Sequence, residues 1–196
     1  TLHKRAIPYE DKARGYAVLN LRRIVDLNPR DYQREAIDAW KRNGRRGTVV
    51  LPTGSGKTLV ATLAIEDAAR SALIVVPTID LLHQWYDVLS TVFDTEIGLI
   101  GGGHADLKDI TVTTYDSAYI QAERLGNRFG LIVFDECHHL PAQSYAEGAK
   151  MAIAPFRLGL TATPEREDGR DAWLDALVGP IVYRRDIADM AVGYFA

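Results

Sequence analysis

The sequence predicts an α/β fold, a mostly parallel central sheet with helices on both faces in three layers. Three observations carry that expectation. Short β-branched apolar runs alternate along the chain with longer stretches of helical period. Most of the runs are continuously apolar, as strands buried on both faces must be. Polar, glycine-bearing segments directly follow several runs, and the carboxyl edge of such a sheet is where ligand loops gather.

The elements follow in order. The first helix is the best delimited: Asn28 can cap it, Pro29 suits its first position, Tyr32, Ala36, Ala39 and Trp40 make one face, and Gly44 follows its end. Strands are expected over residues 47–51, 72–76, 97–100, 110–113, 130–134, 156–160 and 180–183. Helices over 57–69, 79–92, 115–124, 143–152 and 170–177 fill the gaps.

A chain of 196 residues fits one domain with a short extra segment and can bury a substantial core. No apolar run approaches the ~20 residues a membrane span needs. The single cysteine, Cys137, cannot form an internal disulfide, so a reducing intracellular, cytoplasmic setting is expected, at the nucleoid if the source is archaeal or bacterial. The chain opens on Thr1 without Met and reads as an excerpt of something longer. Its net charge of −3 is not the strongly basic footprint of a dedicated nucleic-acid binder. The charge is uneven, however: residues 1–46 hold 12 Lys or Arg against 6 Asp or Glu. That basic face is solvated or meets a polyanion.

After the first strand comes Pro52-Thr53-Gly54-Ser55-Gly56-Lys57-Thr58. Its glycines let successive N–H groups turn toward phosphate oxygens, Lys57 can reach the terminal phosphates, and Thr58 can offer its hydroxyl to magnesium. One position departs from the pattern G-x-x-x-x-G-K-[ST], because Leu51 stands where glycine is asked for. After the strand at 130–134 comes Asp135-Glu136-Cys137-His138-His139. An aspartate leaving a buried strand can hold the nucleotide's magnesium, and the next glutamate can orient and deprotonate water. An acidic loop capping a helix explains either carboxylate alone but not the pair. The histidines, with one cysteine beside them and no second cluster at ligand spacing, argue only weakly for zinc.

At these residues the chain resembles superfamily 2 helicases and translocases of the DExH branch. Tyr32-Gln33 is similar to the upstream element in which a glutamine, here Gln33, reads adenine. Val75-Val-Pro-Thr-Ile-Asp-Leu-Leu-His-Gln-Trp85, Thr113-Thr-Tyr-Asp-Ser117 and Gly159-Leu-Thr-Ala-Thr-Pro164 resemble its next motifs, in order. Arg166-Glu167-Asp168 resembles the Arg-Glu-Asp motif of the XPB-like helicases, and DECHHLPAQSY resembles archaeal members.

The resemblance implies a RecA-like P-loop NTPase lobe over residues 25–185. It makes 1–24 the tail of a preceding DNA- or damage-recognition domain and 186–196 a link toward a second RecA-like lobe. It implies ATP and Mg2+ as cofactors, with Lys57, Asp135 and Glu136 catalytic, Gln33 and residues Thr53 to Thr58 on nucleotide, and Thr58 and Asp135 on the metal. His138, Thr161 and Thr163 would couple nucleotide state to DNA. Pro77, Thr78, Gly101, Gly102, Thr113, Thr114, Arg166, Glu167 and Asp168 would touch DNA without reading sequence. Expected partners are DNA, the second lobe of the same protein, and a nuclease or a repair or transcription protein, with no membrane. An arginine finger from the second lobe contributes ~10³ to 10⁵ in rate, so this lobe alone is expected to hydrolyse ATP very slowly. Two other readings stay open: a restriction-type translocase or RNA-directed DExH enzyme, and a non-enzymatic nucleotide-binding platform.

Overall fold

The computed structural model describes residues 15–140, 143–163 and 171–186. Eight strands alternate with helices along the chain. They are β1 (Arg46–Val50), β2 (Ala72–Val76), β3 (Ile97–Gly101), β4 (His104–Asp106), β5 (Ile110–Thr114), β6 (Leu131–Asp135), β7 (Phe156–Thr161) and β8 (Ile181–Arg184). The helices are α1 (Asp31–Arg42), α2 (Lys57–Ala68), α3 (Ile79–Val92), α4 (Tyr115–Ile120), α5 (Ala122–Leu125), α6 (Gln143–Met151) and α7 (Asp171–Leu177). All strands join one sheet in the order β4-β3-β5-β2-β6-β7-β1-β8, and every pair except β3–β4 is parallel.

Period-two alternation divides the core into two layers. On β2, Ile74 and Val76 face α1, α2 and α3, packing with Trp40, Ile65 and Leu89. Leu73 and Val75 face the other way, onto Tyr115, Leu125, Ala149 and Leu177 of α4 to α7. Each fully buried aliphatic side chain of this kind stabilises the fold by roughly 1.5–3 kcal/mol. Because seven strands run parallel, the segments that leave their carboxyl ends share one rim.

Four expectations need correction. Asn28 does not cap α1: the N-cap is Arg30, in extended conformation, and Gln33 Oε1 accepts the Arg30 N–H at 2.9 Å. A glutamine at the third helical position supplies that reach-back bond, and the helix starts two residues later than Pro29 suggested. The helix expected over 115–124 breaks at Gln121, whose φ of −104° and ψ of 17° interrupt it into α4 and α5. A strand escaped the sequence reading, because His104–Asp106 is three exposed residues with no apolar pattern. It pairs antiparallel with β3. The remaining strands lie within one residue of the expected bounds.

Residues before α1 lie along the same core. Leu19 N–H donates to Ala69 O at 2.8 Å and Ile24 N–H to Val92 O at 2.9 Å. This segment therefore crosses the far ends of α2 and α3, with Leu19, Leu21, Val25 and Leu27 packed inward. At the opposite layer, Arg157 is buried on β7 and donates to the carbonyls of Leu177 and Ala152, beside the ends of α7 and α6. Burial, with Arg46 nearby, lowers its pKa to about 10.

Candidate active site

The loop after β1 owes its shape to two glycines. Gly54 and Gly56 take φ of 76° and 81°, left-handed values that strain any residue with a Cβ. No such value is needed at Leu51, whose side chain is fully buried in the core. That is why leucine is accepted where the pattern asks for glycine. Its carbonyl accepts Lys57 Nζ at 3.3 Å.

The first helix clamps this loop from behind. Tyr32 Oη donates to Ser55 O at 2.7 Å and Gln33 Nε2 to the same oxygen at 3.0 Å. A second, longer contact runs from Gln33 Nε2 to Gly56 O at 3.4 Å. The Gln33 amide thus ties the start of α1 to the loop. It keeps one weakly used hydrogen and one lone pair, a donor-acceptor pair suited to the edge of a base.

The acidic pair leaves β6, one strand away from β1 across β7. Two strand spacings put the loop and the carboxylates about 10 Å apart, a gap that Lys57 spans: its Nζ lies 3.5 Å from Glu136 Oε1. Asp135 is 7% exposed. Its Oδ2 accepts the Trp85 indole N–H at 2.8 Å and its Oδ1 the Glu136 N–H at 3.1 Å. Desolvation pushes its carboxyl above the usual range; the Trp85 bond opposes that, Glu136 adds to it, and Lys57 draws it back. Tyr115 Oη donates to the Asp135 carbonyl at 3.0 Å, and burial holds that phenol protonated. Glu136 itself takes φ 47° and ψ 53°. Such a conformation costs a non-glycine residue about 1–3 kcal/mol.

The three residues named for coupling come together. His138 Nδ1 lies 3.0 Å from Thr161 Oγ1 and 3.4 Å from Glu136 Oε2. Thr161 Oγ1 donates to Thr163 O, and the Thr163 N–H donates back to that hydroxyl, both at 3.1 Å. A continuous chain of contacts therefore runs from Lys57 through Glu136 and His138 to the end of β7.

Farther along the same rim, Thr78 is exposed and caps α3, its Oγ1 accepting the Leu81 N–H at 3.2 Å. Thr114 caps α4 through Ser117 N at 3.2 Å. Gly102 is exposed beside Ile79, whereas Gly101 is buried against Thr114 and Ser117. Pro77 is partly buried. Thr113 is fully buried and its hydroxyl donates to Thr114 O at 3.4 Å, so it braces the rim from beneath. Arg166, Glu167 and Asp168 lie outside the described residues.

Whether triphosphate and magnesium suit these residues can be judged from the donors. Ser55 Oγ is buried and, among the described residues, has no hydrogen-bond partner. The two Lys57 contacts are long, so a phosphate can displace them. Gly56, Thr58 and Asp135 line one groove of about 320 Å³ between α2 and α3. Among the described residues no cluster of three or more His, Cys, Asp or Glu side chains is placed to hold a metal. A cation here would take Thr58 and Asp135 plus phosphate oxygens and water, the arrangement magnesium prefers. The residues fit.

Sequence reasoning missed Tyr32 as a loop clamp, Tyr115 and above all Trp85. The signal for Trp85 was present, since it follows Thr78 by seven residues, two helical turns on one face.

Known proteins resemble this chain at three levels. Residues 26–166 match the family described as type III restriction enzyme, res subunit. The DNA 3'-5' translocase XPB2 of Sulfurisphaera tokodaii is 53% identical over 167 residues, covering 85% of this chain and 38% of that protein. The general transcription and DNA repair factor IIH helicase/translocase subunit XPB1 of Arabidopsis thaliana is 31% identical over 190 residues, covering 85% and 24%. Among solved structures, the Pyrococcus furiosus Hef helicase domain superposes with a TM-score of 0.67 at 24% identity, covering 80% of this chain and 38% of that one. The chain thus spans well under half the length of these relatives.

Proposed function

The chain belongs to the type III restriction enzyme res-subunit family and, within superfamily 2, is an XPB-like first RecA-like lobe; from that premise we propose that it is the ATP-binding motor lobe of a DNA helicase or duplex translocase acting in DNA repair or transcription. The observation that carries this is the 3.5 Å approach of Lys57 to Glu136 across β7, beside Asp135 and Thr58 on one groove. A loop for phosphate and a carboxylate for its metal are useful together only when one ligand can bridge them.

Magnesium-ATP, when bound, supplies the phosphoryl group and the cation that neutralises its oxygens. The N–H groups of Thr53, Gly54, Ser55 and Gly56 wrap the phosphates, Lys57 moves from Leu51 O and Glu136 onto them, and Gln33 meets adenine with its spare donor and acceptor. Thr58 and Asp135 would hold the metal. Glu136 orients water and takes its proton, and His138, Thr161 and Thr163 pass the change toward the DNA rim. There Pro77, Thr78, Gly102 and Thr114 meet the backbone over the buried Gly101 and Thr113, with Arg166, Glu167 and Asp168 engaging or separating the duplex. Hydroxyl and N–H donors bind phosphate without a dense basic patch, which suits the acidic net charge.

The lobe spans residues 25–185 in this reading, with 1–24 the tail of a preceding domain that, from Leu19 on, lies against the core of the lobe, and 186–196 the way to a second RecA-like lobe that supplies an arginine finger. The whole protein works inside the cell, with a nuclease or a repair or transcription partner. Steady-state ATP turnover of the full-length protein with duplex DNA, single-stranded DNA and RNA tests the proposal. Stimulation by DNA and its loss in Lys57→Ala are expected. Stimulation by RNA alone would move the assignment to an RNA-directed enzyme, and unchanged turnover in Lys57→Ala would end the motor reading.

A further inference from the structure

Trp85 is 2% exposed in the α3 face of the core, and its indole nitrogen is spent on Asp135 Oδ2 at 2.8 Å. Packing alone does not require that partner, because a phenylalanine would fill similar apolar space. The bond has a geometric consequence for the site. Each Asp135 oxygen receives one protein donor, Trp85 on Oδ2 and Glu136 N–H on Oδ1, so the carboxylate plane is fixed while one lone pair on each oxygen stays available.

The same helix reaches the rim. α3 begins at exposed Thr78, its cap, and Ile79 at its first position lies against Gly102 of the neighbouring turn. Six residues after Ile79, about 9 Å along the axis, stands Trp85. The flank of α3 that looks toward α2 is not close-packed. Leu81, Trp85 and Val88 face Thr58, Leu59 and Thr62 across the groove of about 320 Å³. Close-packed helices resist displacement, whereas a helix beside open space can shift without overlap.

We propose that Trp85 is a positioning residue that aims the Asp135 carboxylate at the metal, and that α3 carries the state of the nucleic-acid rim at Thr78 to that carboxylate. The proposal rests on the motor reading above. It gives one helix two tasks: backbone phosphates at its capped N-terminus and, at its second turn, the Trp85 grip on the metal ligand Asp135 of β6.

The test uses the full-length protein. A fluorescent ATP analogue is bound first without metal, then titrated with Mg2+ in the presence and absence of duplex DNA, for the parent and Trp85→Phe. Loss of an outer partner of a metal ligand weakens metal affinity by about 10- to 100-fold. The expected result is that shift in the Mg2+ midpoint, with metal-free binding unchanged and with DNA moving the midpoint in the parent but not in the variant. An unmoved midpoint with the DNA response intact would overturn the proposal.

The indole 15N–1H resonance of Trp85 in the parent gives a second reading that survives a variant unable to fold. It is expected to move when Mg2+ is added to bound nucleotide and again when DNA is added. A parent that binds the magnesium nucleotide while this resonance stays still sinks the inference alone. A parent that binds no magnesium nucleotide sinks the motor reading and the inference with it.

Discussion

Exchanging Gln33 for glutamate isolates the bond between α1 and the phosphate loop. The exchange conserves volume and keeps the oxygen that accepts the Arg30 N–H at 2.9 Å. It replaces the nitrogen that donates to Ser55 O at 3.0 Å with an oxygen that faces two carbonyls, Ser55 and Gly56. Ser55 O keeps Tyr32 Oη at 2.7 Å and is not orphaned. The loss is therefore about 1 kcal/mol for the missing bond plus about 1–2 kcal/mol for an acceptor buried without a donor. At about 2–4 °C per kcal/mol for a domain of this size, Gln33→Glu lowers Tm by about 4–12 °C near pH 8. Thermal unfolding of the nucleotide-free chain followed by circular dichroism reads it.

The pH dependence has a definite sign. The carboxyl introduced at position 33 sits against carbonyl oxygens, so its folded pKa lies above the unfolded value of about 4.3. For a raised acid the folded state favours the protonated form. Stability is fully present below the unfolded pKa and is lost as pH rises through the folded one. The deficit is small near pH 4, where a protonated carboxyl can again donate to Ser55 O, and full at pH 8. A variant within about 1 °C of the parent at pH 8, where a loss of about 4–12 °C is expected, or a deficit that deepens on acidification, would refute the clamp.

Two more outcomes follow from the site. Asp135 is held above its usual range chiefly by desolvation. In the nucleotide-free chain its ionisation opposes folding above that raised pKa, and the cost fades as pH falls through it toward 3.8. Asp135→Asn removes that cost but turns an amide N–H toward either the Trp85 or the Glu136 donor, so the difference in Tm, variant minus parent, should fall as pH is lowered from 7.5 to 4. The stabilisation that magnesium nucleotide gives the parent should vanish; a difference that instead rises as pH falls would contradict the assignment. Cys137 is fully buried and its thiol is pushed far above the ordinary range by desolvation and the neighbouring Glu136 and Asp135. A disulfide reagent should modify it only at the rate of unfolding, and one fast equivalent on the folded chain would show the site to be open.

How much of this was legible follows from the range of each contact. The continuous apolar runs marked the parallel strands, and the loop from Pro52 to Thr58 and the pair Asp135-Glu136 were readable because strand, turn and helix lie within about ten residues of one another. Their chemistry is written in residue types at fixed local spacing. The exposed strand His104–Asp106 was not readable, since pairing rather than pattern creates it. Nor was the cap of α1, where the Gln33 side chain outcompetes Asn28 by a contact made only once the helix has formed.

The sequence by itself determined the class of fold, the phosphate loop, the acidic pair and their order along the chain. It left open that Lys57 closes on Glu136, that Trp85 grips Asp135 from fifty residues away, and that Thr113 lies beneath the rim instead of on it. Local propensity acts within a turn or a strand, but sheet order decides which loop ends become neighbours. Placing β7 between β1 and β6 is a choice of the whole core, and it turns two separate motifs into one site.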